Sequence, residues 1–134
     1  MPKIEINNDL CELTHVADFI KNVSAKKNIP ESVIFDINLA VDEAVTNVIS
    51  YGFKDELEHK IFLTLHVEEN KIKITLEDDG VEFNPLLSNE PDLEKNVKEK
   101  PIGGLGIYFI KAKMDKVNYE RNNNINSLIL EKFY

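Results

Sequence analysis

A chain of 134 residues, 43% hydrophobic and 30% charged, carries enough apolar material for one domain with a true core and no disulfide staples. Its single cysteine, Cys11, excludes an intrachain disulfide and a cysteine-rich metal site, and fits a reducing, cytoplasmic setting. A net charge of −8 argues against direct binding to a nucleic-acid backbone. No apolar run is long enough to span a bilayer and the opening residues lack signal-peptide character, so no membrane partner is expected.

Residues 3–6 alternate polar and apolar side chains and predict an edge strand. Asn8 or Asp9 can cap the helix that follows, with Leu10, Leu13, Val16, Ala17, Ile20 and Val23 as its buried stripe. That helix should end near Lys26 or Lys27. Pro30 suits the first turn of a second helix and Glu31 its positive end. Ile34, Ile37, Val41, Ala44, Val45 and Val48 recur at helical spacing up to about Ser50, with the stop at Tyr51-Gly52. A polar connection over residues 53–58 precedes two alternating runs, Ile61, Leu63, Leu65, Val67 and then Ile72, Ile74, Leu76. Glu69-Asn70 separates them, which predicts a hairpin.

Residues 78–100 change character, being rich in acidic side chains and containing Pro85 and Pro91. So long an irregular excursion inside a compact domain suggests a lid or binding loop. Gly103-Gly104-Leu105-Gly106 then runs into an apolar helix through Met114. A strand near residues 116–120, a turn at Asn122-Asn123-Asn124 and a last strand through residues 127–133 complete the order. This order predicts an α+β two-layer sandwich, a mixed and mostly antiparallel sheet covered by helices on one face.

Three stretches could carry chemistry. Glu43 and Asn47 lie four apart on one helical face, beside the apolar stripe. Asn47 can offer an amide oxygen to Mg²⁺, and Glu43 can take a proton from an attacking hydroxyl. Asp78-Asp79-Gly80 ends a strand, where Asp78 could accept from an exocyclic amine; alone, it reads more readily as a strand-ending turn. Gly103, Gly104, Leu105 and Gly106 open a helix whose backbone N–H groups could approach an anion, although no Walker sequence follows. Taken singly, each could be structural. His15, His59 and His66 read as surface residues, and Cys11 near a helix start as a thiol open to activation.

In order, the three stretches resemble the ATP-binding domain shared by gyrase, Hsp90, sensor histidine kinases and MutL-type proteins. They are most similar to its small branch, the bacterial anti-sigma factor serine-protein kinases. Glu43-Ala-Val-Thr-Asn47 resembles the asparagine box of that branch. The run from Asp78 through Gly80 and Phe83 to Pro85 resembles its first glycine box, and Gly103-Gly104-Leu105-Gly106-Ile107 its second. The resemblance implies a Bergerat-type fold in a single domain, 1–134, with an ATP lid at residues 84–100. It implies ATP and Mg²⁺ as cofactors, Asn47 as the metal ligand and Glu43 as the catalytic base. Asp78, Gly80 and Phe83 would lie at the base, and Gly103, Gly104, Leu105 and Gly106 at the phosphates.

The implied activity is phosphorylation of a serine on a small anti-anti-sigma partner, with a sigma factor as a further partner and a homodimer as a frequent assembly. The alternatives are a noncatalytic ATP-binding module that sequesters a regulator, and an interaction protein without nucleotide. Glu82 stands where the wider superfamily often has a second glycine, and Gly103 where kinase members often have a polar or basic residue.

Overall fold

The computed structural model describes residues 1–87 and 104–134. Its order is β1 (Lys3–Asn7), a 3-10 turn (Leu10–Glu12), α1 (Leu13–Lys26), α2 (Glu31–Tyr51), β2 (Lys60–Glu68), β3 (Lys71–Asp78), a second 3-10 turn (Pro85–Leu87), α3 (Gly104–Lys113), β4 (Lys116–Asn122) and β5 (Ile125–Phe133). The strands form one sheet in the order β1-β2-β3-β5-β4, and each of the four pairings is antiparallel. Because β5 lies between β3 and β4, the chain leaves β3, passes through α3 and returns at the sheet edge before filling the middle.

The two-residue period of the strands decides the layering. Ile61, Leu63 and Leu65 on β2, Ile72, Ile74 and Leu76 on β3, and Leu128 and Leu130 on β5 all face the core. They meet Val33, Ile37, Val41, Ala44 and Val45 of α2 and Ile107 and Ile110 of α3 in one hydrophobic cluster. Burial at roughly 1.5–3 kcal/mol for each large apolar side chain makes this cluster the main source of stability. The opposite face of the sheet stays polar, with Thr64, His66, Lys73 and Thr75 half-buried or more exposed. The fold class is the expected one, a Bergerat-type sandwich with its helices on one face.

Local chemistry moves some boundaries. Asp9 is the cap, accepting from Cys11 N at 3.0 Å, but it starts a 3-10 turn rather than α1. Leu10, within that turn, is exposed and Ala17 lies outward, while Val16 and Ile20 are buried and Leu13 and Val23 pack against the core as expected. Pro30 is the residue before α2, with an extended backbone at ψ 141. Asn28, Asn70, Asn123 and Asn124 have positive φ and supply left-handed turn positions that branched residues avoid. Consecutive positive φ values at Asn123 and Asn124 make the tight link between β4 and β5.

Candidate functional site

The inward phase of β3 continues past Leu76 to Asp78, which is only 6% exposed at the end of an apolar row. Gly80 N donates to Asp78 Oδ1 at 2.9 Å, and Asn126 Nδ2 donates to the same oxygen at 3.0 Å. Among the described residues both donors fall on Oδ1, which leaves Oδ2 free to accept from a ligand. Burial pushes the Asp78 carboxyl upward and Asp79 adds to this. The Asn126 and Gly80 donors and the Arg121 charge pull it back down.

Asn126 is the centre of this end of the site. Sheet register sets it opposite Asp78 on one side and Arg121 on the other. Its Nδ2 also donates to Val81 O at 2.8 Å, while its Oδ1 accepts from Arg121 Nη1 at 2.8 Å and from the Tyr119 hydroxyl. Arg121 Nη1 reaches Gly80 O as well, at 3.1 Å. The turn after Asp78 is fastened to the end of α2, since Val81 N donates to Gly52 O at 2.7 Å. A Cβ on Gly80 would lie 2.3 Å from that carbonyl oxygen, so close backbone approach is what requires glycine there.

The other end is built where α2 and α3 touch. Gly106 sits against both members of the asparagine box: a Cβ there would lie 3.0 Å from Glu43 Oε2 and 3.2 Å from Asn47 Nδ2. Asn47 is 8% exposed, and its Nδ2 has no hydrogen-bond partner among the described residues. A buried carboxamide left open in this way costs free energy in the absence of a ligand. Burial, then the neighbouring charge of Asp42, raises the Glu43 carboxyl above the ordinary glutamate range. Asp42 itself is exposed and turns away from this corner.

The donor set fits Mg²⁺. By turning over, the Asn47 carboxamide can present its oxygen, the hard ligand that Mg²⁺ prefers, and among the described residues no hydrogen bond to its nitrogen opposes this. Among the described residues no group of three His, Cys, Asp or Glu could hold a metal. Water and ligand oxygens would therefore have to complete the coordination shell.

Between the two ends lies a cavity of about 30 Å³, lined by Asn47, Asp78, Phe83, Tyr119 and Asn126 together with aliphatic side chains. That is enough for ordered water. Phe83 and Pro85 are the lining residues outside the sheet and the long helices.

The structure thus brings Glu43, Asn47 and Gly106 together at one end and Asp78, Gly80 and Phe83 at the other. Gly104 and Leu105 open α3, and Gly103 lies outside the described residues, as does most of the expected lid at residues 84–100. Asn126, Tyr119 and Arg121 escaped the sequence reading. The signal was present: Asn126 holds the inward phase of Leu128 and Leu130, where a polar side chain needs partners.

Two expectations are corrected. His59 is no ordinary surface residue: its ring is held by Asp55 at 2.7 Å and Asp79 at 3.1 Å and stacks on Phe53 with centroids 4.3 Å apart. Cys11 is not activated, because the hydrogen bond with Asp9 raises its thiol.

Comparison with known proteins decides the family. The profile of the histidine kinase-like ATPase domain matches residues 6–132. The chain belongs to that family. Among curated relatives, the serine-protein kinase RsbW of Listeria innocua is 25% identical over 118 residues, 85% of this chain and 74% of its own length. The serine/threonine-protein kinase BtrW of Bordetella bronchiseptica is 22% identical, covering 95% of this chain and 89% of its own. The anti-sigma F factor of Oceanobacillus iheyensis is 33% identical over 89 residues, 61% of this chain and 56% of its own. The domain is thus related to the RsbW-type anti-sigma factor kinases at low to moderate identity, a link that supports a kinase or regulatory role.

Solved structures confirm the fold. The RsbU and RsbW domains of a Mycobacterium tuberculosis protein superpose with a TM-score of 0.66 at 14% identity, over 99% of this chain and 32% of that one. The histidine kinase domain of a blue-light activated histidine kinase from Erythrobacter litoralis EL346 gives 0.60 at 17% identity, over 92% of this chain and 59% of that one. Among the described residues no helix is long and apolar enough to cross a membrane.

Proposed function

We propose that this chain is an ATP- and Mg²⁺-dependent protein-serine kinase of the anti-sigma type, a single domain over residues 1–134. Its substrate would be a serine on a small anti-anti-sigma partner. One observation carries the reading: Gly106 packs directly on Glu43 and Asn47, while Asp78 offers a free carboxylate oxygen across the adjoining cavity. Three stretches far apart in sequence meet as the two ends of one site.

In this proposal Asp78 Oδ2 accepts the 6-amino group of adenine, and Phe83 closes over the base. The backbone N–H groups of Gly104, Leu105 and Gly106, at the positive end of α3, face the phosphates. Gly103 precedes them. Asn47 supplies a metal ligand oxygen. When bound, Mg-ATP brings the transferable phosphoryl group and a cation that balances its charge. Glu43 takes the proton from the partner serine hydroxyl as its oxygen bonds to the terminal phosphorus and the bond to the departing ADP breaks. A carboxyl raised by burial is a better proton acceptor than an exposed one.

Residues 84–100 would act as the lid over this site. A sigma factor as second partner belongs to the same proposal, supported by a relative named an anti-sigma factor; a homodimer and a cytoplasmic setting are proposed with it. Incubation of the pure protein and candidate small partners with labelled Mg-ATP tests it. Label on a partner serine that disappears with Glu43→Gln is the expected result. Nucleotide binding with no transfer to any partner would instead favour a module that only sequesters a regulator.

A further inference from the structure

We infer that Asn126 determines which purine this site accepts, by presenting Asp78 as a fixed acceptor to a 6-amino purine and against a 6-oxo purine. The inference rests on the nucleotide-binding reading above.

The orientation of the Asn126 amide is dictated from both sides. Arg121 Nη1 can only donate, so Oδ1 must face it, and the Tyr119 hydroxyl donates to the same oxygen. Asp78 Oδ1, Val81 O and Gly80 O are acceptors, so Nδ2 must face those. Turning the amide over would set oxygen against three acceptors and nitrogen against the guanidinium. The donor role toward Asp78 is therefore locked. Arg121, the chain's single arginine, is spent on this lock and on Gly80 O, at the base end of the site.

Asp78 is fixed in turn. Its Oδ1 takes two donors, Gly80 N and Asn126 Nδ2, which sets the carboxylate plane beside the cavity and leaves Oδ2 without a donor among the described residues. A carboxylate oxygen there pairs with an N–H of a 6-amino group. The carbonyl of a 6-oxo purine would place one acceptor against another. Without the Asn126 donor, Oδ1 keeps only Gly80 N, the carboxylate plane is free to turn, and the discrimination would relax.

Inosine triphosphate isolates the contact, since relative to ATP it changes the 6-amino group to an oxo group. Affinities of the full chain for Mg-ATP and Mg-ITP are to be measured by titration calorimetry, with folding checked by circular dichroism. The wild type is expected to prefer ATP by at least about 100-fold, as sites built around a buried hydrogen bond do. Asn126→Leu should bring that ratio below about 10-fold, and Arg121→Gln, which removes one of the two donors that orient the amide, should lower it by less.

An unchanged ratio in folded Asn126→Leu overturns the inference, as does a wild type that binds both nucleotides equally. If Asn126→Leu fails to fold, an unchanged ratio in Arg121→Gln overturns it alone. A wild type that binds neither nucleotide overturns the proposed function itself.

Discussion

Two buried asparagines face the same cavity under opposite conditions. Asn126 uses both ends of its amide, between Arg121 and Tyr119 on one side and Asp78 and Val81 on the other. Asn47 leaves its Nδ2 with no partner among the described residues. The first arrangement stabilises the free protein and fixes geometry. The second costs free energy until something binds. In the proposed site, the base end would be finished before ligand arrives and the phosphate end would be completed by it.

Leucine at each position breaks the comparison most sharply. Asn126→Leu strands Val81 O, takes one donor from Asp78 and removes the acceptor of the Tyr119 hydroxyl, so unfolding free energy should fall by about 3 kcal/mol in a urea titration. Asp78→Asn is next. Burial raises the folded Asp78 carboxyl, so its ionised form is a net cost once pH exceeds that raised value. Near neutral pH this variant should gain roughly 0.5–2 kcal/mol of stability while losing nucleotide affinity by about 100-fold or more. A loss of both would show that Asp78 is structural.

Asn47→Leu should be close to neutral or stabilising by about 1 kcal/mol, because it deletes an unpaired buried amide, and should abolish the Mg²⁺ dependence of nucleotide binding. A strong destabilisation would erase the contrast with Asn126. The smallest effect concerns His59, whose pKa is raised chiefly by its hydrogen bond to Asp55 and further by Asp79. A raised histidine contributes stability fully below its unfolded value of about 6.5 and loses it as pH rises through the folded value. Stability should therefore decline slightly above about pH 6.5 in the wild type, with that slope absent in His59→Gln. The ring titration followed by NMR gives the folded value directly.

Much of this architecture was legible because periodicity is local. The inward rows of β2 and β3 and the long stripe of α2 are set by side-chain alternation within each segment. The stripe of α1 was legible at Leu13, Val16, Ile20 and Val23 but not at Leu10, which a 3-10 turn at Leu10–Glu12 carries out of phase with no composition cue to mark it. Glu43, Asn47 and Asp78 stood out as polar groups bordering apolar periods. Asn126 and Arg121 did not, because their roles come from the β3–β5–β4 register, and register is a property of the assembled sheet. His59 was missed for a similar reason: Asp79 lies twenty residues away and only the fold brings it near.

The central claim is that α2, the end of β3 and the start of α3 form one nucleotide site. Its most direct test is a calorimetric titration of the full chain with ATP, with and without Mg²⁺. The account predicts saturable binding of one nucleotide per chain, strengthened by Mg²⁺ and lost in Asp78→Asn. No saturable binding up to millimolar ATP, or binding that Asp78→Asn leaves unchanged, would contradict it.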